Sequence, residues 1–181
     1  MFSRWVVLVM QPQHGDESAE VPYDEPVNLR CSVIVTRGDA VVLIHRSGDG
    51  HDDWVIPGGR PRVRETTAAC ARREVREETG LEVEPQRCAL VLEVIDPSTD
   101  DRTVEIVFVG APISRSDLVG EPGKTPAWVP LATVRELHLR PPIGGYLPGI
   151  VSGTRNTAAY LGNMWRPGQP IRGRAGRGQE L

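Results

Sequence analysis

Cysteine is scarce in this chain. There are three, Cys31, Cys70 and Cys88, an odd number with no C-x-x-C pair. That argues against a disulfide framework and for a reducing compartment, so a cytoplasmic protein is expected. Long apolar runs are missing too. The stretch from Trp5 to Met10 is too short to cross a bilayer. It also lacks the longer apolar region and small-residue cleavage site of a secretory leader, and no membrane partner is expected. Nor is there a strong excess of positive charge. A formal net charge of -3 speaks against a nucleic-acid polymer as partner, which needs a broad basic surface. A small phosphorylated ligand is not excluded, because it needs only a local group of Arg or Lys. No internal repeat is visible.

What remains is an ordinary globular composition, 39% hydrophobic and 25% charged over 181 residues, enough for one core. Residues 1–28 read as a short apolar strand and a loose Pro-, Asp- and Glu-rich extension. The body spans 29–166 as a single domain. Cys31–Thr36 and Ala40–Ile44 are apolar and β-branched around Arg37-Gly38-Asp39, which predicts a hairpin. Trp54–Ile56 is a short strand stopped by Pro57-Gly58-Gly59. Val83–Ile95 and Thr103–Val109 predict two longer strands around a polar turn. Trp128–Leu131 is extended and leads to a helix around Thr133–Leu137; Pro141–Leu161 is expected to be irregular or helical. From Pro167 the Gly-, Arg- and Pro-rich tail is expected to be disordered. Strands around one central helix give an α/β (α+β) class with a mixed β-sheet.

That helix is the strongest element, running from Glu65 to Glu78 without Gly or Pro and ended by Gly80. Glu74 and Glu78 are four residues apart, and Glu77 lies three beyond Glu74, so all three share one face. Ala68, Ala71 and Val75 point elsewhere, as an anchoring stripe. Three neighbouring carboxylates repel one another unless a cation neutralises them. Oxygen-only ligands suit Mg²⁺ or Mn²⁺ and not zinc. Such an ion also neutralises a diphosphate and lowers the pKa of bound water, which is what hydrolysis of a phosphoanhydride requires. The two glycines before the helix let backbone approach an ion or phosphate closely.

The segment from Gly59 to Leu81 resembles the Nudix box, G-x5-E-x7-R-E-U-x-E-E-x-G-U with U apolar. Every fixed position is met: Gly59, Glu65, Arg73, Glu74, Val75, Glu77, Glu78, Gly80 and Leu81. The order of elements around the box extends the resemblance from about residue 29 to 140. It implies an α/β/α sandwich. It implies one to three divalent ions on Glu74, Glu77 and Glu78, with a carbonyl near Gly58 or Gly59 assisting. Arg73 would orient Glu74, and Glu65, one turn into the helix, would steady the loop or the water around the ions. The implied reaction is attack of water on a phosphorus of a nucleoside diphosphate linked to another group, as in a nucleoside triphosphate, ADP-ribose or a nucleotide sugar.

The chain departs from the family pattern just before Trp128, where many members carry one more acidic residue. Lys124-Thr125-Pro126-Ala127 holds none. Glu121 is the nearest candidate and Glu105 the next, and a box glutamate can also serve as base. On the substrate side Arg46, Arg60 and Arg62 are candidate phosphate contacts. Trp54 fits a core position better than a base-stacking one, and Cys70 reads as a tucked-in small residue without catalytic work. Pro97 lies near where ADP-ribose hydrolases of the family carry a proline, although its polar turn explains it equally well. Two other readings stand beside the hydrolase. A catalytically silent sensor on the same fold would be expected to lose box glutamates, and an isoprenoid diphosphate isomerase would need a catalytic Cys that no local context supports. A homodimer is compatible with the sequence.

Overall fold

The hairpin is the seed of the sheet. Strand β1, Asn28–Arg37, turns back through Gly38-Asp39 into β2, Ala40–Gly48, with Arg37 opposite Ala40. Gly38 takes the turn at φ 61°, a conformation that carries little penalty without a Cβ. The computed structural model describes residues 26–48, 51–99, 101–113 and 116–166. The expectations for the N-terminal extension and the tail lie outside, apart from residues 26–28.

Beyond the turn the two strands separate and recruit different neighbours. β1 runs parallel to β6, Arg102–Pro112, and also meets the short β4, Gly58–Gly59. β2 pairs with β3, His51–Val55, and with β7, Lys124–Pro130. β5, Val83–Ile95, lies antiparallel to β6, and β9, Ala159–Asn163, runs parallel to β5. With the two-residue β8, Leu139–Arg140, beside β3, the order is β8-β3-β2-β1-β6-β5-β9. Both parallel and antiparallel pairs occur along this path, so the sheet is mixed, as expected.

Both faces of the sheet are covered, because side chains alternate along each strand. Cys31, Val33 and Val35 of β1 pack on helix α1, Thr67–Thr79, against Cys70, Ala71 and Val75. Ile34, with Val41 and Leu43 of β2, packs the other way on Val134, Ile143, Leu147 and Ile150. That second layer holds a single 3-10 turn, Val134–Glu136, and α2, Leu147–Val151. The arrangement is an α/β/α sandwich. Each fully buried Val, Leu or Ile contributes roughly 1.5–3 kcal/mol, so these two clusters carry most of the stability. Ala68 is only half-buried and Cys70 takes its place in the stripe. Small residues there let α1 lie close to the sheet, which brings its glutamates to β4.

Two segments differ from expectation. The helix around 133–137 is one 3-10 turn. Residues 141–161 form a helix of five residues and then a strand. Pro141, Pro142, Gly144 and Gly145 prevent a longer helix. β9 shows no alternation of its own; it forms because β5 offers an open edge. Among the described residues, no helix is long and apolar enough to cross a membrane.

Candidate active site

Helix α1 starts two residues later than its sequence suggests. Thr66 is the N-cap, in extended conformation, and its hydroxyl accepts a hydrogen bond from the Ala69 N–H at 3.2 Å. Glu65 therefore lies in the loop before the helix, a correction to its expected place inside the first turn. Its backbone N–H donates to Arg62 O at 3.0 Å, and its Oε2 accepts from the Arg62 N–H at 2.8 Å. This double tie closes the loop on itself. At the other end Gly80 caps the helix at φ 73°, its N–H on Arg76 O.

Arg73 is the hub that joins loop to helix. Nε and Nη2 donate to the two oxygens of Glu65 at 2.8 and 2.9 Å, a bidentate fork. Nη1 donates to Glu74 Oε1 at 2.7 Å and to Glu77 Oε2 at 2.9 Å. Nη2 also reaches Arg60 O at 3.1 Å. The fork on Glu65 holds that carboxyl down at about 2, with the Arg62 N–H adding to the effect, and raises the Arg73 guanidinium in turn. Arg73 hydrogen-bonds Glu74, and its two-pronged contact is to Glu65.

Two of the box glutamates, Glu74 and Glu78, close on the Gly58–Gly59 strand. The Gly58 N–H donates to Glu78 Oε2 at 3.0 Å. A methyl group on Gly59 would overlap the Glu74 carboxyl, so the glycine is what leaves room for that carboxyl against the strand. The Gly59 carbonyl lies 3.6 Å from Cys70 Sγ. Burial pushes the Cys70 thiol up to about 12, with Cys31 beside it contributing, so it is an inert packing residue.

The outer oxygens of these carboxylates face cations. Glu77 Oε1 accepts from Arg62 Nη2 at 3.1 Å. Glu78 Oε1 accepts from Lys124 Nζ at 2.9 Å, and the same ammonium reaches Glu121 Oε2 at 3.3 Å. Burial opposes the charge on Lys124, but Glu78 and Glu121 outweigh it and its pKa is raised. Among the described residues no three His, Cys, Asp or Glu side chains stand together as a metal-ligand set in this arrangement.

The remaining sequence candidates fall into two places. Arg46 lies opposite Lys124 across the β2–β7 pair, on the same sheet face, and forks onto Asp53 with both contacts at 2.7 Å. Arg140 Nε lies 2.9 Å from Asp53 Oδ2, the oxygen that Arg46 Nη2 also reaches, and the Asp53 side chain is 2% exposed. Arg60 and Arg62 are exposed in the loop, and Glu121 is exposed beside Lys124. Glu105 points away from α1, on the face of Val107; Arg30 Nε lies on it at 3.2 Å and the Ser32 hydroxyl also donates to it. Trp54 packs against the core and stacks on His45 at 4.7 Å, in keeping with a core role.

The sequence reading missed Asp53 and Lys124. Asp53 was findable, since the β2–β3 register sets it directly across from Arg46. Lys124 was not, because its contact spans from residue 124 to residue 78 and depends on where β7 docks.

The fold matches many solved structures. A NUDIX hydrolase from Nitrosomonas europaea is 20% identical, with 72% of this chain and 92% of that one covered and a TM-score of 0.63. A MutT protein from Methanosarcina mazei Go1 is 20% identical, over 73% and 98%, with a TM-score of 0.61. An ADP-ribose pyrophosphatase from Streptococcus suis 89-1591 is 19% identical, over 77% and 98%, with a TM-score of 0.53. At such identities these likenesses speak for the fold. The model of the NUDIX domain itself matches residues 27–148, containing the whole box and its strands, and so the chain belongs to the Nudix hydrolase family.

Proposed function

We propose that this chain is a Mg²⁺- or Mn²⁺-dependent pyrophosphohydrolase that cleaves a nucleoside diphosphate joined to another group. Nudix enzymes generally use divalent cations and act on small nucleotide substrates. The observation that carries the reading is that Glu78 and Glu74 lie against Gly58 and Gly59, with Glu77 joined to Glu74 through Arg73, and that each of the three carboxylates is matched by a cationic side chain. The site calls for positive charge, and every donor offered is a hard oxygen. Glu74, Glu77, Glu78 and the Gly59 carbonyl would hold the ion. When bound, it neutralises the diphosphate and lowers the pKa of its water.

The chain's own residues supply the rest. Arg73 fixes the direction of Glu74, and Glu65 fixes Arg73. Arg46, steadied by Asp53, presents a guanidinium toward phosphate on the α1 face of the sheet; Arg60 and Arg62 line the loop side. Glu121 is the nearest acidic group outside the box and stands as a candidate to receive a proton from water. The three free thiols favour the reducing cytoplasm.

A substrate panel tests this. With Mg²⁺, the protein should release a nucleoside monophosphate or pyrophosphate from at least one of ADP-ribose, nucleotide sugars or nucleoside triphosphates. Glu74→Gln should lower turnover roughly a hundredfold or more while leaving the fold intact. Silence across the panel with metal bound would favour a nucleotide sensor.

A further inference from the structure

Lys124 is the single lysine among the 21 Lys and Arg residues of this chain. It stands where β7 begins, and its ammonium lies on Glu78. The two oxygens of Glu78 are held differently. Oε2 takes a backbone N–H from Gly58, fixed by the pairing of β4 with β1. Oε1 takes Lys124 Nζ at 2.9 Å, at the end of a four-carbon stem that is 23% exposed. Only the second partner can leave without moving a strand. Arg73 cannot play this part, since its planar fork is committed to Glu65, Glu74, Glu77 and Arg60 O together. An ammonium, by contrast, is a compact point charge on a flexible chain.

We propose that Lys124 is an internal competitor for the divalent ion at Glu78, a positioning residue that sets how tightly the ion is held. The inference rests on the reading of Glu78 as a metal ligand. An ion taking Oε1 would meet the ammonium at contact distance, and like charges that close repel strongly in a half-buried site. Ion entry therefore requires the ammonium to leave. Glu121 receives it, because Nζ already lies 3.3 Å from Glu121 Oε2 and Glu121 is exposed at the sheet end. Lys124 thus neutralises Glu78 in the empty protein and yields it when the ion arrives, so the resting site avoids an unpaired buried carboxylate at the expense of affinity.

The test is Mn²⁺ binding to the full chain without substrate, followed by the electron paramagnetic resonance of free Mn²⁺. Lys124→Met keeps the stem and removes the charge; it should tighten Mn²⁺ by roughly tenfold, the worth of one charge-assisted contact. Lys124→Arg keeps the charge and should stay near wild type. Unchanged or weaker binding in Lys124→Met overturns the proposal, as does equal tightening in both variants. Glu78→Gln separates the underlying reading: if it binds Mn²⁺ like wild type, Glu78 is no ligand and both ideas fall. If it binds weakly while Lys124→Met is unchanged, only the competition fails. Should Lys124→Met not fold, ¹⁵N-lysine labelling of the wild type gives one side-chain ammonium resonance. Saturating Mg²⁺ should shift that resonance, and a resonance that stays put overturns the proposal.

Discussion

Replacing Gly58 by Ala should unfold this domain more readily than its small size suggests. The new Cβ would sit 2.5 Å from Cys31 O and 2.7 Å from Ser32 Cα, besides overlapping the Ser32 hydroxyl. Ordinary contact begins near 3.4 Å, so backbone must move by about 0.7–0.9 Å. β1 cannot supply that movement, because it is registered against β6 from Asn28 to Val35 and buried on both faces. β4 must shift instead, and the Gly58 N–H then leaves Glu78. Overpacking costs about 1–3 kcal/mol, and the lost charge-assisted hydrogen bond about 1.5–3 kcal/mol. Together these come to about 2.5–6 kcal/mol, or roughly 5–24 °C in melting temperature for a domain of this length. Urea and thermal denaturation of three single variants check the reasoning. Gly145→Ala, which meets nothing within 4 Å, should hold its stability or gain up to about 1 kcal/mol. Gly59→Ala meets only the flexible end of Glu74, so it should melt near wild type but lose activity. A Gly58→Ala protein melting within about 3 °C of wild type would refute the steric argument.

Two further outcomes follow from the ionisable groups. Glu65 is held at about 2, below its ordinary 4.5, first by the Arg73 fork and then by the Arg62 N–H. A carboxyl depressed in the folded state stabilises fully above its ordinary value and less as pH falls toward the folded one. The stability difference between wild type and Glu65→Gln should therefore be level above pH 4.5 and shrink from there toward pH 2; a difference that stays constant over that range would contradict the assignment. The thiols give a second check. Burial raises Cys31 and Cys88 and pushes Cys70 up to about 12. A disulfide reagent at pH 8 should thus label the native protein slowly and all three thiols at once in urea. Rapid labelling of Cys70 in the native state would mean that the packing beneath Gly59 is open.

Local chemistry made much of this protein readable from its sequence. The β1–β2 hairpin follows from β-branched runs around a Gly-containing turn, and α1 from an uninterrupted Ala-, Arg- and Glu-rich stretch closed by Gly80. The common face of Glu74, Glu77 and Glu78 follows from helical spacing alone, as does the tie from Arg73 to Glu77 four positions along. These interactions lie within a turn or two of chain, where geometry is fixed by the repeat. The N-terminus of α1 was misjudged because Glu65 fits a helix by propensity, whereas the Thr66 cap decides where the helix begins.

What only the tertiary structure decided are the contacts that cross the sheet. Ala159–Asn163 becomes a strand because β5 has a free edge, and Asp53 becomes the anchor of Arg46 and Arg140 because three strands align. Glu105 has the composition of a candidate base, but strand alternation turns it to the face away from α1. Lys124 reads as a missing acid in the sequence, and docking of β7 sets it on Glu78 as a cation. The box motif by itself fixed which residues share a helix face. Which cations meet those residues depends on pairings between distant segments, because a side chain's partner is set by the register of neighbouring strands and not by its own neighbours in sequence.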